Sequence, residues 1–167
     1  ARRGIEEVAQ QINQVYDVLI EEIEHLGGSV VIFSGDSINC WFDKELGNPA
    51  QRAVICAGAM QQTMKQFPDL SLKIAVCSGP VRRFAVGDPN IQLIDTLAGA
   101  TITRLAIAEG IANPYEILLD QETTEELGLS NLQSRTAGTG ESFTVLNSLP
   151  HAIQKQKITD AGNTPTP

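Results

Sequence analysis

The sequence predicts an α+β sandwich, with helices packed on a mostly antiparallel sheet. Three observations point to it. A helical stripe at three- and four-residue steps over residues 5–26 is followed at once by two β-branched runs around a tight turn cluster. Leu70, Leu72, Ile74 and Val76 then alternate with other residues, the period of a strand. An alanine-rich helical stretch over 98–112 leads into further short strand and helix signals, so helices and strands interleave along one chain.

Taken in order, Ile5, Val8, Ile12, Val15, Leu19, Ile23 and Leu26 set one apolar face of the first helix, and Gly27-Gly28 stops it. Ser29 to Phe33 and Ile38 to Phe42 read as a hairpin closed by Ser34-Gly35-Asp36-Ser37. Asn48-Pro49 opens a second helix with Pro49 in its first turn, and Ala53, Ala57, Met60, Met64 and Phe67 as its stripe. The alternating strand over 70–76 ends at Gly79-Pro80 and is expected to share a sheet with the hairpin. A strand over Val81 to Val86 follows, with Gly87-Asp88-Pro89-Asn90 as its turn. Residues 91–97 read as partly extended. Asn113-Pro114 breaks the alanine-rich helix, Tyr115 to Leu119 reads as a strand, Gln121 to Leu127 as a short helix, and Phe143 to Leu146 as the last strand. The expected division is a domain over 1–150 and a polar tail over 151–167. A sheet of this kind usually begins on a central strand, so a first strand is expected to precede residue 1.

Composition excludes several functions. The 167 residues carry 12 Lys and Arg against 20 Asp and Glu, a formal charge of −8. An acid excess of this kind argues against nucleic acid, whose phosphates need clustered cations. No apolar run is long enough for a membrane span, so no direct membrane contact is expected. Cys40, Cys56 and Cys77 are an odd set in apolar stretches and read as free thiols of a reducing compartment, which places the domain in the cytoplasm. His25 and His151 have no Cys or His beside them, so no zinc site is expected.

Three blocks in order resemble the class III adenylyl/guanylyl cyclase homology domain. They are Gly27-Gly28 through Ser34-Gly35-Asp36, then Leu72 to Val81 with Gly79-Pro80-Val81 and the following Val86-Gly87-Asp88-Pro89, and lastly Gly99 through Pro114-Tyr115-Glu116-Ile117-Leu118-Leu119. The likeness covers about residues 4–147. It implies a cyclase-type, ferredoxin-like sandwich, active as a dimer. It also implies metal-assisted attack of a ribose 3′-hydroxyl on the α-phosphorus of ATP or GTP.

The resemblance assigns roles residue by residue. Asp36 matches one of two carboxylates that hold Mg²⁺ or Mn²⁺ in the family; the other belongs to the strand expected before residue 1. Read alone, Asp36 is an ordinary turn residue. Phe33, Ser34 and Gly35 flank it as substrate-contacting positions. The family's purine-reading Lys falls at Ile32, its ribose-orienting Asn at Thr103 and its charge-stabilising Arg at Ile107, so these three positions are degenerate. Asp95 is a turn or cap residue, or a displaced counterpart of the purine-reading Asp. Arg104 reads as part of a solvated helix face, Arg82-Arg83 as a solvated strand edge, and Phe33 and Trp41 as packing residues.

Two readings follow. In the first, the chain is the metal-bearing half of a cyclase and makes cyclic AMP from ATP only beside a complementary half. In the second, it is a catalytically dead cyclase-like domain that dimerises and regulates, with Gly35-Asp36 kept as a turn. A plain interaction module is the third and weaker alternative.

Overall fold

The computed structural model describes residues 2–151 and 153. Helix α1 spans Arg2–His25 and ends where the sequence expects, in paired bonds from Gly28 N–H to Ile23 O at 2.8 Å and from Gly27 N–H to Glu24 O at 2.9 Å. Its stripe is buried only toward this end, at Leu19 and Ile23, whereas Val8 and Ile12 are exposed. Strands β1 (Ser29–Ser34) and β2 (Ser37–Trp41) form the expected hairpin, with a bulge between Val30 and Ile32. Helix α2 (Pro49–Thr63) starts with Pro49 in its first turn, and the Asn48 side chain caps it by accepting from Gln51 N–H at 2.8 Å. A 3-10 turn over Met64–Gln66 follows.

The remaining elements are β3 (Ile74–Val76), β4 (Arg82–Asp88), β5 (Gln92–Ala98), α3 (Ala100–Ile111), β6 (Ile117–Leu119), α4 (Gln121–Glu126), β7 (Ser134–Thr136) and β8 (Ser142–Leu146). They order as one four-stranded sheet, β3-β6-β8-β7, and two separate ribbons, β1-β2 and β4-β5. Four of the five ladders are antiparallel, and β3 with β6 is parallel. The architecture is therefore the expected mostly antiparallel α+β sandwich.

The alternation along β6 shows how the layers stack. Ile117 and Leu119 join a core with Val54, Ile55 and Ala57 of α2, while Leu118 between them joins one with Ala108 of α3 and Phe143 and Val145 of β8. Successive strand residues point to opposite faces, so α2 covers one face of the sheet and α3 the other. Covered on both sides, β6 is buried at every residue, which accounts for its uninterrupted Ile-Leu-Leu run. A third core joins α1 and α2 through Leu19, Ile23, Cys56 and Met60, with Ile38 and Cys40 of the hairpin packed against it.

Several expectations need correction. The hairpin does not share a ladder with Ile74–Val76; the two meet only through side chains over the third core, and Leu70 and Leu72 pack there without joining a strand. Gly87 and Asp88 belong to β4, which pairs residue for residue with β5, so the turn is confined to 89–91. Strand β7 was not expected at all. Ile153 is buried in the core of α2 and β6, so packing continues past Pro150; residues 152 and 154–167 of the expected tail lie outside the described residues. No described helix is long and apolar enough to cross a membrane.

Candidate functional site

The hairpin turn carries the first group of site residues. Gly35 has φ +61 and Asp36 does not share that sign, the pattern of a type II′ turn, which asks for glycine at its first central position. Two side chains fix it. Tyr16 of α1 donates its hydroxyl to Gly35 O at 2.9 Å, and Ser37 Oγ donates to Ser34 O at 2.9 Å. Asp36 is exposed at the tip, and no ion pair or side-chain hydrogen bond among the described residues engages it.

Directly paired residues of the hairpin share a face. Phe33 pairs with Ile38, so it follows the helix-facing side, beyond the core, where its ring meets Tyr16 edge-on at 5.5 Å between centroids. Phe33 still leaves 53% of its surface exposed beside that ring contact, and Trp41 leaves 37%. Ile32 and Ser34 pair with Asn39 and Ser37 and fall on the opposite face. Asp36 and Ser34 thus border a surface that α1 does not cover.

The second group sits on α3. Thr103 is exposed, and its hydroxyl turns back to Gly99 O at 3.5 Å. Ile107 is half-buried against Ala108 and Leu118. Both line an open groove of about 580 Å³ with Leu97, Ile102 and Ala106, in which Thr103 supplies the one side-chain polar group and no charge is present. The hairpin packs on α1, whereas α3 packs on β3, β5 and β6. One chain therefore does not bring Asp36 together with the Thr103 and Ile107 positions. Asp95 pairs through its backbone with Ala85 in the middle of the β4-β5 ribbon; its side chain lies outside the described residues.

Arg104 is not on a solvated face. Its Nε donates to Asp120 Oδ2 at 3.0 Å, and one terminal nitrogen donates to Ser78 O at 2.9 Å and lies 3.3 Å from Glu122. Asp120 also accepts from Ser78 N–H at 3.2 Å and from Thr123 N–H at 3.0 Å, capping α4. This network ties α3 to the end of β3. Sequence reading missed Asp120, whose one local signal was its place before Gln121-Glu122-Thr123, a helix start.

Burial pushes the thiol of Cys40 up to about 11 and that of Cys56 up to about 12, and raises that of Cys77 beside Asp120. All three are free and poor nucleophiles. Among the described residues, no group of three or more His, Cys, Asp or Glu stands close enough to hold a metal unaided.

No family model matches the sequence, and no curated protein matches it. Solved structures do. The guanylyl cyclase Cya2 superposes with a TM-score of 0.68 at 18% identity, over 87% of this chain and 83% of that one. A bacterial light-regulated adenylyl cyclase gives 0.67 at 19%, over 93% and 87%. A dimeric guanylyl cyclase domain of the RhoGC fusion protein from the aquatic fungus Blastocladiella emersonii gives 0.63 at 16%, over 82% and 81%. At these identities the likeness is one of architecture: the chain has the fold of class III adenylyl and guanylyl cyclase domains.

Proposed function

We propose that this domain is the metal-bearing half of a two-part nucleotide cyclase, which makes cyclic AMP from ATP only beside a complementary half. Asp36 carries the reading. Its carboxylate stands exposed at the tip of a turn that Tyr16 and Ser37 hold in place, and it is uncommitted among the described residues. Mg²⁺ typically takes one or two carboxylates together with substrate phosphates. Asp36 fits one such ligand, and a second carboxylate must come from outside the described hairpin. Mg²⁺ or Mn²⁺ bound there would neutralise phosphate charge and activate the ribose 3′-hydroxyl. Ser34 and Gly35 border the same surface, and Phe33 offers an exposed ring beside it. ATP supply places such a domain in the cytoplasm.

The α3 groove explains why a partner is required. Ile107 cannot donate a hydrogen bond, and the Thr103 hydroxyl is too short to reach a ribose as an Asn would. Ile32 offers no cation to a purine. The partner half must bring all three functions.

The same groove favours a second reading, a catalytically dead domain that dimerises and regulates in signal transduction, because its lining is almost wholly apolar. One experiment separates them. The chain alone, with Mg²⁺ or Mn²⁺ and ATP or GTP, is expected to yield no cyclic nucleotide, since losing one charge-stabilising donor already costs about 10²–10³ in rate. Given a second metal-holding carboxylate and mixed with a half that carries the Lys, Asn and Arg, it should turn over ATP. Asp36→Ala and Asp36→Asn should each abolish that turnover while leaving the fold intact. Turnover that tolerates both changes rejects the Asp36 assignment, and no turnover with such a half favours the regulatory reading.

A further inference from the structure

The turn at the tip of the β1-β2 hairpin has two forms open to it, and a side chain of α1 discriminates between them. Gly35 and Asp36 are its two central residues, since Ser34 pairs with Ser37. Two-residue hairpin loops close as type I′ or type II′ turns. Both need a positive φ at the first central residue, which Gly35 has at +61. They differ in the peptide between the central residues. In type II′ the second residue keeps a negative φ; in type I′ that peptide is turned over and the second residue takes a positive φ. Asp tolerates the left-handed region, so Gly35-Asp36 suits either form. Asp36 nevertheless stays out of that region.

The peptide that turns over is the one Tyr16 holds. Its hydroxyl donates to Gly35 O at 2.9 Å, from 19 positions away in the chain. Turning the peptide over would point that carbonyl away from α1 and break the bond. The donor is itself placed, because the Tyr16 ring is half-buried and meets Phe33 edge-on at 5.5 Å. Apolar packing does not make the choice. Val30, Ile38 and Cys40 pack on the third core, but residues 34–37 carry no apolar side chain. Ser37 does not make it either, since its hydroxyl bonds Ser34 O, outside the central peptide.

We propose that Tyr16 is the positioning residue of Asp36: its hydroxyl selects the type II′ form and so fixes how the carboxylate is presented to a divalent cation. The inference rests on the reading of Asp36 as a metal ligand. A trans peptide carries its carbonyl and its N–H on opposite sides. With Gly35 O drawn toward Tyr16, Asp36 N–H faces away from it, toward the surface that α1 leaves open. In the type I′ form the carbonyl would stand there instead, and the change of sign at Asp36 φ would re-aim the carboxylate. One hydrogen bond shifts the ratio of the two forms by about fivefold. A cation site present in only part of the population binds more weakly in proportion to that part.

NMR of the full chain tests it, using Tyr16→Phe, which keeps the ring against Phe33 and removes only the hydroxyl. Circular dichroism confirms that each variant is folded. A strong NOE from the Gly35 α-protons to the Asp36 amide marks type II′, and a strong NOE between the two amides marks type I′. Wild type should show the first, and Tyr16→Phe should move the ratio toward the second by about fivefold. Mn²⁺ alone, at substoichiometric amounts, broadens the amides nearest to where it binds. In wild type it should broaden residues 35–37 beyond the amides beside other exposed carboxylates, and Asp36→Asn should remove that excess. Tyr16→Phe should lower the excess about two- to fivefold. A Tyr16→Phe protein that keeps the type II′ pattern, or that changes form with undiminished broadening, would overturn the proposal. A wild-type turn broadened no more than the rest of the surface, or equally broadened in Asp36→Asn, would instead reject the Asp36 reading, and the inference would fall with it.

Discussion

Arg104 and Asp120 form an ion pair in which the carboxylate is only 1% exposed, joining α3 to the start of α4 at an Nε–Oδ2 distance of 3.0 Å. The two partners are not equivalent. Asp120 keeps donors from Ser78 N–H, Thr123 N–H and the Thr123 hydroxyl if Arg104 is lost. Arg104 keeps Ser78 O and the exposed Glu122 if Asp120 is lost, and the two backbone N–H groups lose their acceptor.

Asp120→Ala should therefore destabilise the domain by about 3–5 kcal/mol, the cost of breaking a buried pair. Arg104→Met should cost less, because the stem still packs and the carboxylate remains hydrogen-bonded. Urea unfolding of both single variants and the double variant measures the asymmetry. Equal losses would show that Asp120 acts only through Arg104.

Tyr16 reaches across from α1 to the turn that presents Asp36. Tyr16→Phe removes one hydrogen bond and keeps the ring against Phe33. The expected loss is about 1 kcal/mol, read by urea unfolding. Tyr16→Ala removes the ring contact as well and should cost more. The backbone amides of Gly35 and Asp36 should exchange faster with solvent in both variants.

The parts legible in the sequence are those written in local chemistry. Ser34-Gly35-Asp36-Ser37 between β-branched runs specified the hairpin, and Asn48-Pro49 specified the start of α2. The polarity of the α3 groove was readable from Thr103 and Ile107. The rest depended on partners far along the chain. Ile91 to Leu97 has no clean period, and from Gln92 on it is extended because β4 supplies its ladder. Ser134-Arg135-Thr136 has no apolar residue, and its strand is anchored by Arg135 on Glu116 and by the ladder to β8. Arg104 looked solvated because its partner Asp120 is sixteen positions away, brought near only when β6 packs beside α3.

The Glu116–Arg135 pair makes stability depend on pH. Arg135 donates two hydrogen bonds, at 2.6 and 2.8 Å, and Asn113 adds another from its N–H at 2.8 Å. These donors, Arg135 first, pull the Glu116 carboxyl down to about 2. An unfolded Glu titrates at about 4.3. The folded pKa is thus the lower one, so the pair's contribution is fully present above the unfolded value and is lost as pH falls from about 4 toward 2. Glu116→Gln should be less stable than wild type at neutral pH, and the difference should shrink through that window. Urea midpoints at a series of pH values measure it, and a constant difference would assign the stabilisation to geometry and not to charge.

Tyr115 holds a φ of +71 in the turn Asn113-Pro114-Tyr115-Glu116, closed by Glu116 N–H on Asn113 O at 3.1 Å. Proline at the second position and a positive φ at the third make the pattern of a type II turn, which favours glycine where Tyr115 stands. A left-handed conformation costs an L-residue about 1–2 kcal/mol. The Tyr115 side chain is mostly exposed, so its removal loses little packing, and its N–H keeps its 2.7 Å bond to Leu72 O whatever the side chain. Glycine gives back part of the gain through the greater freedom of the unfolded chain. Tyr115→Gly should accordingly stabilise the domain by roughly 0.5–1 kcal/mol. Tyr115→Val should destabilise it, because a β-branched side chain tolerates a positive φ least. Urea unfolding of the three proteins gives the order glycine, tyrosine, valine if backbone strain governs this turn. A valine variant as stable as tyrosine would show that the turn relaxes to a negative φ and that Pro114 alone sets its course.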